Sequence, residues 1–195
     1  MDPRVVEFQC IMPIANIPSV IERGILSYER AAKLQHRSVA MQPVQDKRDQ
    51  KHVPGGLRLH HYANLYFDAR NPMMFKRRGE ADSLCVLRVS TAVLGVGGTV
   101  LSDQNAASDY ARFLHPRQWR ALNFDDIYSM DWRHRGDPIA YWRHKARKCA
   151  EVLVPHQVEP DFLGGAYVVD EGARNRLANV GFALPTTVTP VLFFR

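Results

Sequence analysis

The sequence is poor in cysteine: Cys10, Cys85 and Cys149 are the only three in 195 residues. An odd count, wide spacing and no Cys-x-x-Cys pair argue against a disulfide framework or a thiolate zinc cluster, and for reduced thiols in a cytoplasm. Long apolar runs are missing as well; no window holds the roughly 18 apolar residues of a membrane-spanning helix. The start, MDPRVVEFQC, has no basic region running into an apolar core, so neither a secretory leader nor a membrane partner is expected. Eight histidines are scattered, and neither His60-His61 nor the pair His134 and His144 has metal-ligand spacing, so no metal is expected. Absent too are GxxxxGK(S/T), a strand-linked GxGxxG, HExxH and GxSxG, which removes the commonest phosphate-loop, metalloprotease and serine-hydrolase readings. The run GVGG at 95–98 lacks the spacing of a phosphate loop and reads as a strand bend.

What is present in excess is positive charge, 26 Lys+Arg against 20 Asp+Glu, for a net charge of +6. It is unevenly placed. Residues 30–78 hold 11 basic and 3 acidic residues, residues 133–148 hold 6 and 1, and the rest of the chain is acidic, with 9 against 16. Two basic segments on an otherwise acidic chain point to a polyanionic partner more than a uniform +6 would, with a generic basic surface as the alternative. With 46% hydrophobic and 24% charged residues over this length, one folded domain is expected.

Residues 4–14 read as a strand leading to a turn. Asn16 stands where it could cap a helix through Ile17–Arg23, with Pro18 in the first turn and Gly24 as the stop. A second helical stretch, Tyr28–Gln35, precedes the polar, basic residues 36–58, which read as a long functional loop. Strand texture follows at 62–67, 84–90 and 93–101, the last interrupted by glycines. A helix is expected around Ala106–Leu114. Another starts at Asp137-Pro138, with Ile139, Trp142, Ala146 and Cys149 on one face. A buried strand at Val152–Val154, a strand at 166–169, a short helix from Glu171 and an apolar run at 188–194 complete an α+β pattern.

Three features stand out chemically. Glu151 sits where a basic helix hands over to an apolar strand; it either faces a cleft, as a carboxylate that stabilises positive charge or accepts a proton, or pairs with Arg147 or Lys148. Arg48, in VQDKR, is either a phosphate clamp on a loop or one solvated charge among many. The stretch 60–78 interleaves Tyr62, Tyr66, Phe67, Met73, Met74 and Phe75 with Arg70 and Lys76–Arg78. That suits stacked bases and backbone phosphates of a single nucleic-acid strand, and equally a core strand followed by a charged turn.

With these residues in view, the sequence resembles the DarT family, the toxin halves of DarT–DarG toxin–antitoxin systems. These are NAD-dependent DNA ADP-ribosyltransferases. The resemblance covers nearly the whole chain and rests on four ordered blocks: NIPSVIERGIL at 16–26, SVAMQPVQDKR at 38–48, YANLYFDARNPMMF at 62–75 and KARKCAEVLVP at 145–155. It implies an α+β single domain with an ADP-ribosyltransferase-like fold, in which central, mainly antiparallel β-sheets are flanked by helices and long functional loops. The family's strand-start glutamate matches Glu151 and its loop arginine matches Arg48, which the resemblance makes the catalytic pair. It also implies that Cys10, Ile11 and Met12 line a nicotinamide site and that Ser19, Ser27 and Arg48 contact the cofactor. Residues 32–50 would fold over the bound dinucleotide. Residues 115–151 would form the substrate-recognising loop and helix, with Tyr66, Met73, His115 and Lys145 near the reacting base or DNA strand. NAD would be the co-substrate, single-stranded DNA the substrate, and a DarG-like macrodomain antitoxin the protein partner.

There is one departure. The family usually carries a Thr-His-Ile-Asp-Asn-Leu-like run after the first strand, and here Met12-Pro13-Ile14-Ala15-Asn16-Ile17 stands in its place. Backbone contacts to nicotinamide survive that change, whereas side-chain contacts to the ribose do not follow. The target base stays open between thymine and guanine. In the implied reaction Glu151 stabilises the oxocarbenium-like ribose formed as nicotinamide leaves, and replacing it by alanine is expected to abolish transfer with the fold intact. Two other readings remain open at this point: a nucleic-acid-binding protein without catalysis, and an ADP-ribosyltransferase that acts on RNA or protein.

Overall fold

The computed structural model describes residues 1–39 and 41–195. In chain order it contains β1 (Phe8–Pro13), α1 (Ile17–Arg23), β2 (Ile25–Leu26), α2 (Tyr28–Ala31), α3 (Gln42–Asp49), β3 (Tyr62–Tyr66) and α4 (Pro72–Arg77). Next come β4 (Leu84–Val89), β5 (Val100–Ser102), β6 (Phe113–Leu114), α5 (Phe124–Tyr128) and α6 (Pro138–Arg147). The chain ends with β7 (Glu151–Pro155), β8 (Gln157–Val158), β9 (Leu163–Val168), α7 (Glu171–Asn179) and β10 (Thr186–Val188).

Near-continuous apolar runs suit strands covered on both faces. Those of β4, β1, β3 and β7 occupy the middle of one eight-stranded sheet, ordered β10-β9-β4-β1-β3-β7-β5-β6. Leu65, Leu84, Val86, Val152 and Val154 are fully buried there. Every neighbouring pair in that sheet is antiparallel except β9 and β10. A separate antiparallel ribbon joins β2 to β8, and the α+β, mainly antiparallel expectation holds. Gly24 ends α1 as read, with φ at +74° and the carbonyl oxygen of Val158 1.9 Å from where a Cβ would stand; only glycine fits. No helix among the described residues is long and apolar enough to cross a membrane.

Several local readings change. Residues 36–58 are not one loop, because α3 crosses them. Its only buried residue is Arg48, so it has no apolar periodicity to announce it. The helix expected at Ala106–Leu114 is a run of turns ending in β6. Asn105 and Ser108 turn the backbone there with their own side chains, Asn105 accepting from the Ala107 N–H at 2.9 Å. The strand expected over 93–101 shrinks to β5, since Ser90 caps a 3-10 turn at Thr91–Gly95 through the Ala92 N–H. The helix expected over Tyr28–Gln35 stops at Ala31. The apolar run 188–194 leaves β10 and closes in a 3-10 turn, Pro190–Phe193. Asn16 makes no cap. Asp137 does cap α6, accepting from the Ala140 N–H at 2.9 Å, but no residue of that helix is buried, so its apolar face packs on no core.

Candidate functional site

The sheet register brings the site together. Tyr66 of β3 and Ser102 of β5 both lie opposite Glu151, the first residue of β7, so the three side chains share one face. Glu151 is 1% exposed, and its carboxylate accepts three hydrogen bonds. The Nη1 of Arg48 donates to Oε2 at 3.0 Å and to Oε1 at 3.2 Å, and the Ala106 N–H donates to Oε1 at 2.9 Å. Glu151 therefore does not pair with Arg147 or Lys148. Arg147 reaches Asp126 at 2.9 Å, and buried Lys148 bonds Asp68 and the Ile127 carbonyl, with burial pushing its ammonium below the usual lysine range.

Arg48 occupies the last turn of α3, where the helix dipole favours a cation. A polar helix that buries only its arginine needs polar anchors, and His60 supplies two. Its Nε2 lies 3.1 Å from the Gln45 side-chain oxygen and its Nδ1 3.2 Å from the Asp49 carboxylate, with Tyr28 stacked on the ring at 4.3 Å. Burial, helped by the nearby Arg48 charge and against the pull of Asp49, holds the His60 ring below the ordinary histidine range.

The cysteines do not supply a nucleophile. Burial pushes the Cys10 and Cys149 thiols up to about 12, and Cys85 further still. Burial and the Glu151 charge likewise hold the Tyr66 phenol protonated; it donates to the Met73 sulfur at 3.1 Å. The rest of the block around Tyr66 is a junction. Asp68 holds Lys148. Arg70 donates to the carbonyls of Met130, at 2.6 Å, and Val191, at 3.0 Å. Buried Asn71 caps α4 through the N–H groups of Met73 and Met74. The interleaved aromatic and basic stretch is thus part core strand, part wall of a cleft.

That cleft measures about 1210 Å³ and has Glu151 on its lining, beyond the ~300–1,000 Å³ typical of a single small-molecule site. Cys10, Ile11, Met12, Ser19, Arg48, Tyr66, Met73 and Lys145 all line it. Ser27 and His115 do not. Ser27 is fully buried and caps α2, accepting from the Arg30 N–H at 3.4 Å. His115 is exposed and caps the 3-10 turn Pro116–Ala121, its Nδ1 accepting from the Arg117 N–H at 3.1 Å. Residues 34–39 form part of the cleft wall; Ala40, inside the expected dinucleotide loop, lies outside the described residues. This wall is tied down. Asn16 bonds the Arg37 backbone in both directions, at 2.8 and 2.9 Å, and Arg77 donates to the Val39 carbonyl. Sequence reasoning missed Asn16, His60 and the Ala106 N–H. Each acts through a partner distant in the chain, and no local pattern marks such a pairing. Among the described residues no cluster of His, Cys, Asp and Glu could hold a metal ion.

A family model for DarT, described as a single-stranded-DNA thymidine ADP-ribosyltransferase, matches residues 10–194. A DNA ADP-ribosyl transferase–DNA ADP-ribosyl glycohydrolase fusion protein of Thermosipho africanus is 29% identical over 208 aligned positions, covering 100% of this chain and 51% of that protein. The chain thus spans about half the length of this relative. A DNA ADP-ribosyl transferase of Thermus aquaticus is 27% identical, over 87% of this chain and 78% of its own length. In fold, the chain is similar to Thermus sp. 2.9 DarT in complex with ADP-ribosylated single-stranded DNA, with a TM-score of 0.84 at 19% identity, covering 98% of this chain and 97% of the other.

Proposed function

The chain belongs to the DarT family, and we propose that it transfers ADP-ribose from NAD to a base of single-stranded DNA and releases nicotinamide. The observation that carries this reading is the buried Glu151 carboxylate, held by Arg48 and the Ala106 N–H, on the lining of a cleft roomy enough for a dinucleotide and a nucleotide together. In the proposed step the bond from the ribose C1′ to the nicotinamide nitrogen breaks, and C1′ bonds to a ring nitrogen of the base. The proton of that nitrogen passes to Glu151 or to solvent. Positive charge grows on the ribose in between, and a fixed carboxylate in a water-poor site stabilises it. Arg48 fixes the direction of that carboxylate.

The remaining roles belong to the same proposal. Cys10, Ile11, Met12 and Ser19 receive the nicotinamide end of NAD. Ser27 acts at one remove, by holding α2. Residues 32–50, with α3 among them, cover the dinucleotide. Tyr66, Met73 and Lys145 meet the reacting base and its strand, and His115 meets the strand further out. A base must leave its stack to reach a buried carboxylate, which favours single-stranded over duplex DNA. The family description names thymidine, which makes it the first base to test, with guanine second. The reaction belongs in a cytoplasm where NAD and DNA meet. A DarG-like macrodomain antitoxin that removes the modification is the proposed partner, in line with the glycohydrolase half of the Thermosipho relative.

Labelled NAD offered in parallel to single-stranded DNA, duplex DNA, RNA and protein tests the reading. Label is expected in single-stranded DNA, with sequencing locating it on thymine. Label in RNA or protein alone, or no NAD consumption with any of them, overturns it.

A further inference from the structure

Helix α6 has no core face. Ile139 is 64% exposed and Trp142 is 61% exposed, and none of the helix is buried. A helix in a small domain normally buries an apolar stripe, so a tryptophan displayed on a helix that buries nothing points to a partner outside the fold. Tyr141, Trp142 and Lys145 line the cleft that holds Glu151. The Lys145 ammonium lies 4.6 Å from the centre of the Trp142 ring and 5.3 Å from that of Tyr141, and the two rings meet edge to face at 5.2 Å. From Pro138 to Arg147 there is no acidic residue. Arg147 is paired with Asp126, but among the described residues Arg143 and Lys145 form no ion pair.

We propose that Trp142 is a stacking platform for an unpaired base flanking the nucleotide that meets Glu151, with Lys145 and Arg143 on the adjoining phosphates. This rests on the reading of the cleft as a site for NAD and single-stranded DNA. A largely exposed indole with an ammonium held over its ring and in no ion pair among the described residues matches the base-plus-phosphate repeat of a single strand, whereas a duplex keeps its base faces covered. The adenine of NAD and a second copy of the chain are the competing occupants.

The three tryptophans are Trp119, Trp132 and Trp142, so emission from the wild-type chain and from Trp142→Phe isolates the third. A short thymidine-containing single strand is expected to quench emission of the wild type, with most of the quenching lost in Trp142→Phe. By anisotropy of a labelled strand, Trp142→Ala should bind about tenfold more weakly, ~1.4 kcal/mol, and Trp142→Phe less than about threefold. An abasic nucleotide beside the target should weaken binding to the wild type but not to Trp142→Ala, and KM for NAD should not move. Unchanged strand affinity in a Trp142→Ala variant with a native circular dichroism spectrum overturns the proposal. So does a raised KM for NAD, which assigns the ring to adenine, or quenching that follows protein concentration alone, which assigns it to a second copy. If the wild type binds no strand at all, it is the underlying DNA reading that fails.

Discussion

Arg48 carries its charge where water barely reaches, 7% exposed, and its partner Glu151 is more enclosed still. Such a pair adds little net stability when intact, but breaking it leaves a buried charge uncompensated, at a cost of about 3–5 kcal/mol. That is a large part of the ~5–15 kcal/mol that holds a domain folded. Glu151→Ala is therefore expected to cost stability as well as transfer, because the carboxylate is an anchor as well as a candidate catalyst. Glu151→Gln is the cleaner change, since it keeps the shape and an oxygen for the Ala106 N–H. Arg48→Ala should lower transfer to DNA at least tenfold, a loss of ~1.4 kcal/mol in transition-state stabilisation. Single-turnover rates check this, and an unchanged rate removes Arg48 from the site. Both residues were legible through the blocks around them. Their contact was not, since 103 positions separate them and the pairing depends on how the sheet folds.

At the scale of elements, the site depends on two segments with little apolar content, α3 and the wall at residues 34–39. Hydrophobic periodicity locates elements that bury a stripe. It found β3, β4 and β7, which are among the most buried strands, and it missed α3, which is held by His60, on its Asp49, and by Glu151, on its Arg48, instead. The wall hangs on Asn16, inside the very run where this chain departs from the family's usual pattern. Asn16→Ala removes both of its bonds to the Arg37 backbone, each worth ~0.5 kcal/mol in an exposed setting. The expected result is a roughly fivefold rise in KM for NAD, with kcat nearly unchanged because the reacting groups stay in place. Initial rates over a range of NAD concentrations decide it, and an unaltered KM would mean that the wall does not touch the dinucleotide.

For the whole molecule, the charge segregation of the sequence acquires a place. Arg37 and Lys47 from the first basic segment and Arg133 and Lys145 from the second line the same cleft, beside Glu151. Much of the basic charge is already paired within the chain, with Lys148 on Asp68, Arg147 on Asp126, and Arg77 and the cleft-lining Arg37 on Glu80. The part of the second segment left for a DNA strand narrows to a few cations, Lys145 and Arg143 foremost. Charge counts could signal a polyanion, but only the sheet, by setting β3, β7 and β5 side by side, brings Tyr66, Glu151 and Ser102 to one face. The most direct measurement of that account compares wild type and Glu151→Gln for ADP-ribose transfer from labelled NAD to single-stranded DNA, with thermal unfolding and oligonucleotide affinity followed alongside. Robust transfer by the wild type is expected, with a loss of at least about a hundredfold in a folded, strand-binding Glu151→Gln protein, as for a group that stabilises developing charge. A Glu151→Gln protein that modifies DNA at close to the wild-type rate would contradict it.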